Sequence, residues 1–339
     1  MKGMKNDTIL DIVEKIKKGK LFPWLNQDHN KIKGMIISPD TDGFICALFL
    51  NNFFHWKTIG FYDGKILTII NNADFKNQKE NFVFIDVEIL RPKIKSIGHH
   101  ILIYDNENLH PLIKTTEKSC IQPNSWRGMD VKNRFATKYP FGTFHLVLSV
   151  LYGLDPKNPI FNFDLKRSIV PSIYLDGVFK NLFNYPENCL DWLKYLSDGN
   201  SNHPFEKLLN HPTTPKDLMN LMKNFFSTLD ETWTTQAKRS KGKIKLGKDI
   251  VNDYMQKDVS NELTQYLEYL AKEYNFTFNV ALWPVLNNKL SLFNFDKKIT
   301  AANKSEYNRI LNQKPISLAI TSKARNGLEY TLDTNKIFD

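Results

Sequence analysis

Residues 33–38 (KGMIIS) form a short apolar run that stops at Pro39, and Asp40-Thr41-Asp42-Gly43 follows at once. Residues 43–54 (GFICALFLNNFF) are then apolar over a full helix length. An apolar run without alternation reads as a strand covered on both faces, as parallel strands are. Strand, tight acidic loop and helix make the first βα unit of an open α/β sheet. This one unit excludes an all-helical or all-β chain and sets the frame for the rest.

Further strands are expected at residues 65–70 (KILTII), 81–86 (NFVFID) and 96–105 (SIGHHILIYD), the last with two histidines near its start. Helices are expected at 8–19, where Ile9, Ile12, Val13 and Ile16 share a face, and at 143–152, 165–184, 187–197 and 215–229. Pro171 sits early in the third of these or kinks it. Residues 235–248 (TQAKRSKGKIKLGK) are basic, contain two glycines and read as a linker or mobile loop. An amphipathic helix near 258–273 follows, then strands at 277–286, 290–295, 316–321 and 328–332, with Asn326-Gly327 as a hairpin turn. The chain therefore divides at 1–234, a basic linker at 235–254 and a small α+β unit at 255–339.

Length and composition agree with this. A chain of 339 residues is comfortable for two cores, and 42% hydrophobic with 24% charged residues is ordinary globular composition. No apolar stretch of about 18 residues is present, so no membrane helix is expected. The first 20 residues alternate charge and aliphatics and lack the apolar block of an export signal. Cys46, Cys120 and Cys189 show no paired spacing, which fits a reducing, cytoplasmic setting rather than a disulfide framework. The net charge of +10 favours polyanionic partners, namely nucleotides or nucleic acid. Lys238, Arg239, Lys241, Lys243 and Lys245 could follow a phosphate backbone, or be a solvated charge run. Among 24 Phe, 13 Tyr and 6 Trp, no base-stacking pair stands out.

The chemistry concentrates at strand ends. Asp40 and Asp42 lie just past the first strand, where α/β sheets bind ligands. Two carboxylates that close repel unless a cation lies between them. The alternative is an acidic helix cap. Asp86 ends another strand and faces the same edge, or else closes an Asx turn. His99-His100 follow Gly98, and imidazole beside carboxylates suits a divalent transition metal.

Strand–DxDG–helix, strand–Asp and then x-His-His, in this order, resemble the DHH phosphoesterase superfamily over residues 30–180. The resemblance implies a doubly wound, mostly parallel N-terminal domain and a smaller substrate-gripping C-terminal domain. It implies two divalent ions in the cleft, usually Mn²⁺, with Mg²⁺ also open; the departures at Ile36 and Gly98 leave one or two. By the same resemblance Asp40 and Asp42 each ligate one metal and Asp86 bridges both. His99 ligates the second metal, and His100 reaches the substrate phosphate. A later acid is carried by Asp176, with Asp164 as the alternative; Asp176 also reads as an ordinary helix residue.

Two positions depart from the pattern. Ile36 stands where the family has a histidine, and Gly98 stands where it has its namesake aspartate. Ser38, Asp105 or His145 could compensate by position. Residues 317–327 (SLAITSKARNG) resemble the substrate-binding edge of the second domain, with Lys323 and Arg325 as phosphate ligands, although the glycine-rich signature is missing. The implied activity is metal-dependent hydrolysis of phosphate esters in nucleotides, short oligonucleotides or single strands, by metal-activated water. The alternative is a catalytically impaired protein that binds nucleotide or nucleic acid on the same fold. A homodimer is compatible with either.

Overall fold

The computed structural model describes residues 7–71, 74–236, 242–322 and 327–338. The chain is mixed α/β. Strands β1 (Gly34–Ile37), β2 (Thr58–Tyr62), β3 (Ile66–Ile70), β4 (Phe82–Ile85), β5 (Lys95–Ile97) and β6 (Cys120–Ile121) are followed by a short hairpin, β7 (Ile250–Val251) and β8 (Tyr254–Met255). Then come β9 (Leu290–Asn294), β10 (Asp296–Ala301), β11 (Ser317–Ser322) and β12 (Gly327–Leu332).

Seven strands form one sheet in the order β6-β5-β4-β1-β2-β3-β9. The pairs from β6 to β2 are parallel, and β3 and β9 add antiparallel strands at one edge. All four residues of β1 and of β4 are buried, as both-face coverage requires. Met35 and Ile37 join the larger hydrophobic cluster, while Ile36 joins a second one with Ile59 and Phe84. From β1 the chain moves to β2 on one side, and β4 returns on the other. The crevice at the carboxyl ends of β1 and β4 is therefore a topological switch point, where open α/β sheets bind ligands.

Helix Thr41–Phe54 is buried over its first eleven residues and packs against helix Thr143–Leu154. Helix Ile9–Lys17 begins with a Thr8/Asp11 capping box and buries Ile9, Ile12, Val13 and Ile16. A second sheet, β10-β12-β11, is antiparallel. It docks on the main sheet through Leu90 N to Ile316 O (2.6 Å) and Thr331 Oγ1 to Gly64 O (2.7 Å). Residues from both ends of the chain contribute to both hydrophobic clusters.

Four expectations need correction. The strand read at 96–105 is only Lys95–Ile97. Beyond it the Glu88 carboxylate takes the N–H groups of His100 and Ile101, and Asn124 Nδ2 donates to the carbonyls of His99 and Ile101. Side chains thus replace a neighbouring strand. The helix read at 165–184 is two helices, Leu165–Tyr174 and Val178–Asn184. Asp176 (φ 38°) and Gly177 (φ 74°) are left-handed and break it. The strand read at 277–286 is two 3₁₀ turns, Val280–Leu282 and Pro284–Leu286, the first capped by Asn279. Strands β2, β6, β7, β8 and β10 have no counterpart among the expected strands. In the basic 235–248 run, residues 237–241 lie outside the described residues. Ile244 N donates to Pro39 O, so the described part is seated on the loop after β1. The Asn326-Gly327 turn lies partly outside the described residues, although β11 and β12 do pair as an antiparallel hairpin.

Candidate metal centre

Three adjacent parallel strands deliver side chains to one edge. β1 leads into Ser38, Asp40 and Asp42, β4 into Asp86 and Glu88, and β5 into Gly98, His99 and His100. The break at 175–177 brings Asp176 to the same place from the helical side. Asp86, His99, His100 and Asp176 offer ligand atoms that all lie within 4.8 Å of one another.

The imidazoles are oriented by hydrogen bonds. Ser38 Oγ donates to Asp86 Oδ2 (2.6 Å), and Thr143 Oγ1 donates to Asp86 Oδ1 (2.6 Å). With its proton committed, Thr143 Oγ1 accepts from His99 Nδ1 at 2.8 Å. His99 Nε2 is then the free lone pair, 3.5 Å from Asp176 Oδ2. His100 Nδ1 lies 3.2 Å from Glu88 Oε2, and its Nε2 lies 3.7 Å from the same Asp176 oxygen. Two imidazole Nε2 atoms and a carboxylate oxygen thus converge, with Asp86 close behind: His99 Nδ1 is 3.8 Å from Asp86 Oδ1. Nitrogen and oxygen donors of this kind fit a divalent first-row ion.

The electrostatics describe crowded carboxylates. Burial, and then the charges of Asp176 and Asp40, push Asp42 well above the ordinary carboxylate range. Burial, and then Asp42 and Asp176, do the same to Asp86. Asp40 is raised by burial and by Asp176. Burial would also raise Asp176, but His100 and His99 outweigh it and hold its carboxyl well below the usual value. His99 is pushed down to about 3, first by burial and then by the charge on His100. Burial opposes a charge on His100, yet Glu88 beside it and Asp176 raise it well above 6.5. A divalent cation here would relieve the mutual repulsion of the acids and would compete with a proton on His100.

Close packing of polar groups is built into the backbone. A Cβ on Gly98 would lie 2.6 Å from Glu88 Cδ, one on Gly142 would lie 2.6 Å from Asp42 Oδ2, and one on Gly43 would lie 2.4 Å from Ser38 Oγ. Glycine at each position leaves room for a carboxylate or hydroxyl.

The predicted residues separate into groups. Asp86, His99, His100 and Asp176 come together. Asp40 is the N-cap of helix Thr41–Phe54, accepting from Gly43 N (3.4 Å), and lies 3.8 Å from Lys243 Nζ. Asp42 accepts from Thr143 N (2.7 Å) and Phe144 N (2.8 Å), so its oxygens serve the start of helix Thr143–Leu154. Neither belongs to the four-residue cluster, although both feel its charge. Asp164 caps helix Leu165–Tyr174 and pairs with Arg167. Of the compensating candidates, Ser38 does touch the site. Asp105 is engaged with Asn108, Lys304 and Lys132, and His145 is buried among Phe141, Phe144 and Phe205. Lys323 and Arg325 lie outside the described residues. Ile36 is buried in apolar surroundings, with no ligand role. Glu88 and Thr143 escaped the sequence reading. Glu88 had a signal in Asp86-Val87-Glu88, which repeats the D-x-D spacing of Asp40 and Asp42.

The cluster opens on a cleft of about 360 Å³, whose far wall includes Tyr62, Lys297, Ser317 and Thr331. A second cleft of about 390 Å³ reaches His99 and His100 past Lys138, Tyr139 and Asn181. Lys297 pairs with Glu329 at 2.7 Å.

No family model matches the chain, and no curated protein or solved structure matches it significantly.

Proposed function

We propose that this chain is a metal-dependent phosphoesterase acting on nucleotides, short oligonucleotides or single-stranded nucleic acid. The convergence of Asp86, His99, His100 and Asp176 at the sheet's switch point carries the reading. The motif order that resembles the DHH superfamily and the net charge of +10 support it. Mn²⁺ is the proposed ion, with Mg²⁺ as the alternative. When bound, such an ion polarises phosphoryl oxygens and lowers the pKa of its water.

The chain's own groups have separate tasks in this reading. Thr143 and Ser38 hold Asp86 by hydroxyl hydrogen bonds, and Thr143 fixes the tautomer of His99. Asp176, with its side chain 28% exposed, stands at the mouth of the cleft. The segment from 255 onward supplies the opposite wall through β11 and β12, and its role as a substrate-gripping unit is part of the proposal. A cytoplasmic setting is also part of it; the three cysteines are free and buried, and no helix among the described residues is long and apolar enough to cross a membrane.

One observation favours a second reading, a nucleotide-binding protein without turnover. Asp42 spends its oxygens on two backbone N–H groups, and Ile36 offers none, so among the described residues one ligand cluster is formed. The test uses purified full-length protein with Mn²⁺ and a panel of dinucleotides, cyclic dinucleotides and short single strands. Hydrolysis by wild type that is lost in Asp86→Asn and Asp176→Asn supports the esterase. Binding that survives EDTA, with no product, supports the second reading.

A further inference from the structure

The geometry points to Glu88 as the positioning residue that makes His100 a cation ligand through Nε2, and to Gly98 as the position that makes room for it. This deepens the metal-site reading and rests on it.

Glu88 is 4% exposed, and both of its oxygens are engaged by one short segment. Oε1 accepts from His100 N (2.5 Å) and Ile101 N (3.2 Å). Oε2 faces His100 Nδ1 at 3.2 Å. An ionised carboxylate only accepts, so the ring must present Nδ1–H to it, and a cation that displaces the other proton would find the Nε2 lone pair beside Asp176. Both Glu88 oxygens already have a partner in this segment, and Glu88 lies outside the four-residue cluster. Its place depends on Gly98, since a Cβ there would lie 2.6 Å from Glu88 Cδ and 2.8 Å from Oε1. Partners that orient a ligating histidine are a general requirement of metal sites, and their loss costs about 10–100-fold in affinity. The same logic already holds for His99, where Thr143 replaces the carboxylate. His100 is therefore assigned to the metal, whereas the resemblance alone places it on the substrate phosphate.

Glu88→Gln is the sharp test, because the amide is nearly isosteric but can turn an N–H toward Nδ1. The ring then carries its proton on Nε2, aimed at the cation. Nitrogen-15 NMR of histidine-labelled full-length protein, at a pH where His100 is neutral, reads this tautomer directly. The expected result is Nδ1–H in wild type and Nε2–H in Glu88→Gln. Titration calorimetry with Mn²⁺ should show affinity lowered about 10–100-fold in Glu88→Gln and in Gly98→Ala. The double variant Glu88→Gln/His100→Gln should bind no more weakly than His100→Gln. His100 is partly exposed, so its replacement and the wild-type tautomer keep the test decisive even where a Glu88 variant fails to fold. Wild-type His100 protonated on Nε2, wild-type Mn²⁺ affinity in Glu88→Gln, or fully additive losses would each overturn the assignment. A wild type that takes up no Mn²⁺ overturns the proposed function and His100 as a ligand together. In that case an unchanged Nδ1–H tautomer shows that the metal-site reading failed and not the Glu88 contact.

Discussion

Asp42 and Asp86 are both buried acids, but the donors they hold differ in kind. Asp86 holds hydroxyls, which can turn to other partners, whereas Asp42 holds two backbone N–H groups that have no alternative. Removing the Asp42 carboxyl therefore exposes the start of helix Thr143–Leu154. Asp42→Ala should lose about 1–2 kcal/mol in urea unfolding, as for other lost caps. Asp42→Asn keeps an acceptor and removes a charge repelled by Asp176 and Asp40, so it should be the more stable of the two. His203 gives a pH prediction. Its Nδ1 accepts from Phe205 N at 3.1 Å, and burial lowers its pKa to about 3. The unfolded value is near 6.5, so the unfolded chain binds the proton more tightly. The stabilisation is complete above pH 6.5 and is lost as pH falls from there toward 3. His145, also pushed down to about 3 by burial, acts in the same direction. Urea midpoints measured from pH 7 to 4 should fall, with a slope of up to about 1.4 kcal/mol per pH unit for each histidine. Replacing His203 with Asn, which can still cap, should flatten the profile.

Among the elements, β1, β4 and helix Thr41–Phe54 were legible because an uninterrupted apolar run has one low-energy destination, the doubly covered interior. What periodicity missed was decided by contacts distant in sequence. Residues 96–105 have the composition of a strand, yet Glu88 and Asn124 claim the backbone groups that a ladder would use. Residues 165–184 have helical composition, yet Asp176 and Gly177 turn left-handed between two helices. The four clustered residues were all named from the sequence, while Glu88 and Thr143, which aim the imidazoles, were not. Ligands announce themselves by residue type, whereas aiming groups are ordinary residues in special places. The break at 175–177 has a testable cost. No atom lies within 4 Å of a Cβ built on Gly177, so Gly177→Ala is penalised only by its positive φ. A loss of about 1 kcal/mol in urea unfolding is expected. Mn²⁺ affinity should fall with it, because the residue before it is Asp176.

On the scale of the whole molecule, the buried acids repel one another, and a cation bound among them would raise stability. Mn²⁺ at about 100 times its Kd should add about 2.7 kcal/mol to unfolding free energy. Thermal melts with Mn²⁺ and with EDTA should differ accordingly, and Asp176→Asn should erase the difference. The second sheet closes this corner from the other end of the chain, through Ile316 on Leu90 and Thr331 on Gly64.

Thr143 ties these scales together. Its hydroxyl joins Asp86 to His99, and its N–H is held by an acid 101 positions earlier. A fragment that ends before this helix lacks both the group that aims His99 and the clustered Asp176. If the proposed ion binds here, its full site would form only after Asp176, 33 residues beyond Thr143, has emerged.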